Sequence, residues 1–246
     1  MPREFSIGNV LSLAFSVFFK NFLPFTAIGY VVQLPLTVWA LAQPNESPPD
    51  ALSGSYWASF AVVWVGALIL YMIMTAAVVY GVFQQLHGVP VRIADCARIA
   101  LRRFGAVLLV SIVTGLIIAV AALFCLVPGF FAACTFFVVV PAAVVERLGV
   151  SESVDRSRAL TTGRRWEIFG IVLVIGAIVG VLNLVGGGLN LLLTPLLRSQ
   201  VAATLLVSVL TTAGQTLNAV VAGVCYYLLR VDKEGFEIKD LAEVFA

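Results

Sequence analysis

The sequence predicts an all-α membrane protein: a polytopic bundle of six transmembrane helices with amphipathic helices lying along its cytoplasmic interface. Three observations carry this. Hydrophobic residues make up 61% of the 246 and charged residues 11%, against roughly 45–50% and about 25% in an ordinary soluble domain. Six apolar stretches approach or exceed the roughly 20 residues that a membrane helix needs. Almost every Lys and Arg falls on one side of those stretches. With a mean hydropathy of +1.05, the chain reads as one integral membrane domain over residues 1–246. Its net charge of +2 is too small to imply nucleic acid as a partner.

The spans are expected at Phe22–Leu41, Trp57–Phe83, Phe104–Leu126, Pro128–Val145, Ile168–Val185 and Val201–Leu229. Between Gly105 and Val145 there is no charge for 41 residues, twice the hydrocarbon thickness at about 1.5 Å per residue. That run must fold back, and Pro128-Gly129 is the expected turn. After the fifth span, Gly186-Gly187-Gly188 reads as a breaker. Leu189–Leu197, ending near Pro195, reads as a short outer-surface or re-entrant piece. The tail Glu237–Phe245 has the pattern of a short amphipathic turn against the inner face.

Orientation follows from the cations. Arg3, Lys20, Arg92, Arg98, Arg102, Arg103, Arg147, Arg156, Arg158, Arg164, Arg165, Arg230, Lys233 and Lys239 share one side. Arg198 stands opposite, with Glu46 and Asp50 in the proline-rich loop Gln43–Ser55. Positive loops stay cytoplasmic, so both termini are expected inside. Trp39 and Trp57 are expected at the outer boundary, and Tyr80, Trp166, Tyr226 and Tyr227 at the inner one. Tyr30, Trp64 and Tyr71 read as mid-span packing residues. Asn45-Glu46-Ser47 is a formal glycosylation sequon, read as incidental. The first apolar stretch runs to transmembrane length, so no cleavable signal peptide is expected.

Each odd-numbered span follows an amphipathic segment. The first has Val10, Leu11, Ala14, Phe15, Phe18, Phe19 and Phe22 on one face. The second has Ile93, Cys96, Ala97, Ala100, Leu101 and Phe104, and the third Val154, Ser157 and Leu160. All three end in two polar or basic residues and an aromatic: Lys20-Asn21-Phe22, Arg102-Arg103-Phe104 and Arg164-Arg165-Trp166. The pattern predicts three parallel units of interfacial helix plus hairpin, at residues 1–83, 88–146 and 150–230, about a pseudo-threefold axis. The competing explanation is that any positive-inside hairpin carries basic residues at its inner end. Such helices either lie on the inner leaflet or pack on one another and on the span ends.

Chemistry is sparse. No ionisable residue falls within a predicted span, which argues against an ion-coupled pump. The intramembrane polar groups are Gln33, Asn183, Gln215 and Asn218, the last two three residues apart on one face. They are candidates for a polar site, although interhelical hydrogen bonding is their commoner use. Gly176 and Gly180 form a GxxxG pair for close helix packing, within the chain or in a homo-oligomer. Cys96, Cys125, Cys134 and Cys225 have no metal-ligand spacing and one histidine, His87, to join them. They are expected as buried free thiols, with no metal and no cofactor. No catalytic constellation is present, so no enzyme is expected. Glu146 and Glu167 are expected to pair with Arg156, Arg158, Arg164 or Arg165.

Val127-Pro128-Gly129-Phe130, Val140-Pro141-Ala142-Ala143-Val144-Val145-Glu146, Ser153–Trp166 and Tyr226–Phe236, with Phe5–Gly8 and Phe22–Phe25 near the start, resemble a bacterial membrane-domain family. It is named for the region that precedes glycerophosphoryl diester phosphodiesterase in some proteins. The resemblance implies a bacterial inner-membrane protein. It transfers no catalytic role, because the soluble phosphodiesterase barrel with its His and metal-binding carboxylates is not among these residues. The expected function is engagement of anionic lipid headgroups, or of a cytoplasmic protein partner, through Arg102, Arg103, Arg156, Arg158, Arg164 and Arg165, with Phe22, Phe104 and Trp166 as anchors. The alternative is an uncoupled transporter or channel for a lipidic or small polar solute, lined by Asn183, Gln215 and Asn218.

Overall fold

The computed structural model describes residues 5–42, 54–124 and 126–235. These residues are almost entirely helical, without strands. The order is α1 (Ile7–Lys20), α2 (Phe22–Ala42), α3 (Gly54–Leu86), α4 (Ile93–Phe124), α5 (Leu126–Thr135), α6 (Val139–Val145), α7 (Val150–Thr161), α8 (Arg165–Leu197) and α9 (Gln200–Glu234). Six segments are long and apolar enough to span a bilayer, with α5 and α6 together making the fourth, so the chain is a multi-pass membrane protein. Polar caps set several ends. Ser6 accepts from the Asn9 N–H at 3.3 Å, Ser199 accepts from the Ala202 N–H at 3.3 Å, and Gly235 stops α9 in the left-handed conformation at φ 65°.

The core forms around α9, which packs against α1, α2, α3, α6, α7 and α8. From Thr212 to Arg230 its residues are nearly all buried. Tyr226 is fully enclosed, its ring 5.8 Å from that of Phe83. The α2–α9 crossing depends on Gly29: a Cβ there would lie 2.5 Å from the Thr216 methyl and 2.7 Å from that of Thr212. Small residues allow this approach because lipid offers helices no hydrophobic drive to associate, only packing and hydrogen bonds.

Several sequence expectations are corrected. Pro128-Gly129 do not form the turn: they lie inside α5, which begins at Leu126. Pro128 occupies the third position of that helix, where its missing N–H costs nothing. Gly129 instead packs against α4, since a Cβ would meet the Ala122 backbone at 2.8 Å. Gly186–Gly188 break nothing: α8 runs unbroken to Leu197, so Leu189–Leu197 is its continuation and not a separate piece. Away from water, backbone groups have no partner except the helix itself, which outweighs the poor helix propensity of glycine. Gly186 also fits against α9, where a Cβ would lie 3.0 Å from Thr211.

The basic segment after Ile93 is likewise the start of α4, with no junction at Phe104. Its Ala, Leu and Arg residues all favour helix. In contrast, the fourth span is interrupted at Phe136–Val138. Pro141 follows the break and contributes to it, although Pro35 and Pro195 sit inside α2 and α8 without interrupting them. The Pro141 ring excludes the carbonyl four residues earlier, on Phe137, and it has no N–H to bond it. Tyr226 and Tyr227 are not boundary anchors but core residues, 0% and 8% exposed, because the end of α9 is enclosed by its neighbours. Trp64 is 62% exposed and is not a packing residue. Arg3, the loop Gln43–Asp50 with its sequon, Cys125, Lys239 and the tail Glu237–Phe245 lie outside the described residues.

Candidate lipid-facing basic end

The amphipathic helices divide their apolar stripes between protein and surroundings. In α1, Val10, Ala14, Val17 and Phe18 are buried, while Phe19 and Phe22 are exposed. In α7, Ser153, Val154, Ser157, Leu160 and Thr161 are buried against the bundle. The Ser157 hydroxyl donates to the Thr135 carbonyl at 2.7 Å, with Thr161 at 3.4 Å. These hydroxyls supply partners at the point where the fourth span is interrupted.

The same helix carries one arm of an ion-pair cluster. Arg156 donates to Glu146 at 2.9 Å and also pairs with Glu234. Arg230, 6% exposed, donates to Glu234 at 3.0 Å and lies 3.6 Å from Glu146. The Tyr226 hydroxyl donates to Glu146 as well. Two carboxylates thus balance two guanidiniums, and the cluster ties the ends of α6, α7 and α9. Burial works against the charge on Arg156, but hydrogen bonds and attraction to Glu146 and Glu234 outweigh it and raise its pKa above the ordinary value. Nearby, Arg164 donates to Asp232 at 3.1 and 3.0 Å and to Glu167 at 3.2 Å. Those hydrogen bonds raise its pKa too.

The remaining predicted residues are placed differently. Arg102 is exposed, and Arg103 is half-buried, donating to the Arg147 carbonyl at 3.4 Å. Arg158 is 52% exposed, 3.9 Å from Asp155, with its guanidinium 5.4 Å from the Phe136 ring centroid. Arg165 lies 4.3 Å from the centroid of the Phe131 ring. Its Nε is buried without a hydrogen-bond partner among the described residues. Phe104 is half-buried, whereas Trp166 is 84% exposed. Sequence reasoning placed Tyr226 and Arg230 on the inner side but did not assign them, or Asp232 and Glu234, to these ion pairs. The Arg230–Glu234 spacing of four on one helix was the available signal.

The intramembrane polar residues do not converge on one site. Gln33 donates to Gln215 at 2.8 Å, linking α2 to α9, and Asn218 donates to the Tyr71 hydroxyl at 2.9 Å, linking α9 to α3. Asn183 is exposed and donates to its own helix at the Val179 carbonyl, 2.8 Å away. Gly176 and Gly180 have open space where a Cβ would project.

A family model described as a domain of unknown function, DUF7847, matches residues 76–231, from the middle of α3 to near the end of α9. No curated protein and no solved structure matches the chain.

Proposed function

The chain belongs to the DUF7847 family, and we propose that it is a non-catalytic bacterial inner-membrane protein that engages anionic lipid headgroups through the basic end of its bundle. The observation that carries this reading is the sorting of the cations. Arg156, Arg164 and Arg230 are held by carboxylates. Arg102, Arg158 and Arg165 border the outside together with exposed Phe22 and Trp166. A basic residue at an anionic surface contributes about 1 kcal/mol, and aromatic side chains favour the headgroup region. On this reading both termini are cytoplasmic, because 14 of the 15 Lys and Arg fall on their side. The amphipathic helices α1 and α7 follow the cytoplasmic interface, and the basic start of α4 runs directly into its span, as parts of three parallel units. The resemblance to the phosphodiesterase-associated membrane family supports the bacterial setting.

The test is mass spectrometry of lipids retained when the protein is extracted in native membrane discs. Enrichment of an anionic lipid over the bulk membrane is expected. A profile identical to bulk overturns the reading and turns attention to a cytoplasmic protein partner.

A second reading, an uncoupled path for a small polar solute, is favoured by two adjoining crevices. One, of about 320 Å³, is bordered by Gln33, Trp64, Tyr71 and Gln215. The other, of about 220 Å³, is bordered by Tyr71, Thr75, Ser111 and Asn218. The Ser111 hydroxyl is buried without a partner among the described residues. Solute flux into liposomes that is lost on Gln215→Leu and Asn218→Leu supports this reading, and flux that survives both removes it.

A further inference from the structure

A guanidinium carries five N–H donors in a plane. The one on Arg165 has its Nε donor enclosed. It lies over the Phe131 ring at 4.3 Å, and its Nε is buried without an acceptor among the described residues. Arg164, its neighbour in sequence, has taken both nearby carboxylates, Asp232 and Glu167. Cation–π attraction orients a guanidinium but does not replace hydrogen-bond acceptors in a low-dielectric setting.

Beside this cation the start of α8 and the middle of α5 leave a groove of about 280 Å³. It is bordered by Phe130, Phe131, Cys134, Arg165, Trp166 and Phe169. Phe169 stands edge-on to Phe130 at 6.0 Å and to Trp166 at 6.2 Å, so the walls are a continuous aromatic surface. The groove therefore combines a cation that has one unsatisfied buried donor with apolar walls, a complement to an amphiphile with an anionic head.

We propose that this groove is a phospholipid site, with the lipid phosphate on the Arg165 guanidinium and the upper acyl chain along Phe130, Phe131, Trp166 and Phe169. The proposal rests on the lipid-engaging reading above and gives it a location. A phosphate matches the planar fork of Arg in a way it does not match the point charge of Lys. The acyl chain confers little selectivity, because bilayer lipid is already as apolar as the groove. Selection must therefore follow headgroup charge and be insensitive to chain length.

The experiment uses the full chain in vesicles of phosphatidylcholine and phosphatidylglycerol containing a photoreactive analogue of one or the other, with the attachment points mapped by mass spectrometry. In the unaltered protein, labelling of the peptides around Phe130 and Trp166 is expected to favour phosphatidylglycerol by about fivefold, the factor that one basic residue provides at an anionic surface. Arg165→Gln should bring that ratio to near one. Arg165→Lys should leave part of it, and Arg102→Gln should leave all of it. Shortening the acyl chains should not change it.

If phosphatidylglycerol is preferred but its label maps elsewhere, or if the ratio survives Arg165→Gln, the groove is not the site, although the lipid reading stands. No preference anywhere on the protein overturns both. Displacement of the label by inorganic phosphate at constant ionic strength overturns the assignment to a phospholipid, since the cation would then be serving a free anion.

Discussion

Replacing Glu146 with Gln removes one of two negative charges that face Arg156 and Arg230 while keeping the shape of the side chain. Glu146 lies 2.9 Å from Arg156 and 3.6 Å from Arg230. Two unit charges about 4 Å apart attract by about 4 kcal/mol at an effective dielectric constant of 20, before the cost of desolvation. The four side chains of the cluster are 8–24% exposed. The loss should therefore exceed the 1 kcal/mol ceiling of an exposed pair and fall below the 3–5 kcal/mol of a fully buried one. Glu234 remains to hold both arginines, and Gln still accepts from Tyr226, so the expected cost is about 2 kcal/mol. Arg156→Gln should cost a similar amount. The double variant restores neutrality, leaving Arg230 with Glu234, and should recover about 1 kcal/mol relative to the sum. Reversible unfolding in mixed detergent micelles measures all three. Single-variant losses below about 0.5 kcal/mol that simply add would refute the cluster as a tie between α6, α7 and α9, reducing it to screened surface pairs.

Three further perturbations test the packing. Gly29→Ala drives a Cβ to within 2.5 Å of Thr216, on stiff β-branched side chains, and should lower stability by roughly 1–3 kcal/mol; an unchanged unfolding midpoint would show that the α2–α9 crossing has room. Ser157→Ala removes the 2.7 Å donor to the Thr135 carbonyl and leaves Thr161 at 3.4 Å. It should cost about 1 kcal/mol, and hydrogen exchange should quicken around Phe136–Val138 if those hydroxyls hold the interruption in place. Gln33→Leu and Gln215→Leu, taken singly and together, should give a coupling of about 0.6 kcal/mol, the average for hydrogen bonds between membrane helices. Zero coupling by the same unfolding measurement would mean that the 2.8 Å contact contributes nothing.

The six spans were legible because length and hydropathy alone decide them, and chain reversal was forced by 41 charge-free residues. The misreadings share a physical origin. Gly186–Gly188 and Pro128 were read with rules formed in water, where an interrupted helix hands its backbone groups to solvent. In an apolar setting the helix keeps them, and even Pro35 and Pro195 sit inside α2 and α8 without ending them. The fourth span is interrupted just ahead of Pro141, whose loss of a bond to Phe137 was available from the sequence but does not by itself separate it from Pro35 and Pro195. Tyr226 and Tyr227 were assigned to the boundary because aromatic residues near a span end usually go there. Their burial depends on how α1, α3 and α7 close around α9, which one-dimensional spacing does not encode. The same holds for the polar contacts, whose partners are distant in sequence: Gln33 and Gln215 are 182 residues apart, and Glu146 and Tyr226 are 80.

The fate of the paired arginines is different, for it follows from helical register. In α4 the buried positions include Cys96, Ala100, Val107 and Val110. Arg103 lies three residues after Ala100 and four before Val107, on that face, and it is half-buried against the Arg147 carbonyl; Arg102 is off the face and exposed. In α7 the buried set is Ser153, Val154, Ser157, Leu160 and Thr161. Arg156 lies three after Ser153 and four before Leu160, and meets Glu146; Arg158 is turned away and is 52% exposed. At α8, Arg164 precedes Ile168 by four and Ile171 by seven, continuing their buried stripe, and meets Asp232, whereas Arg165 turns to the Phe131 ring. Each pair thus contains one arginine that the fold directs inward and one that it does not, by the 3.6-residue period alone. The inward members are structural, since removing their charge strands a carboxylate or leaves a carbonyl without its donor. On the proposed lipid-engaging reading, selectivity among these pairs therefore falls to the outward members Arg102, Arg158 and Arg165. Neutralising those three should change lipid preference without the stability cost that accompanies the loss of Arg156 or Arg164.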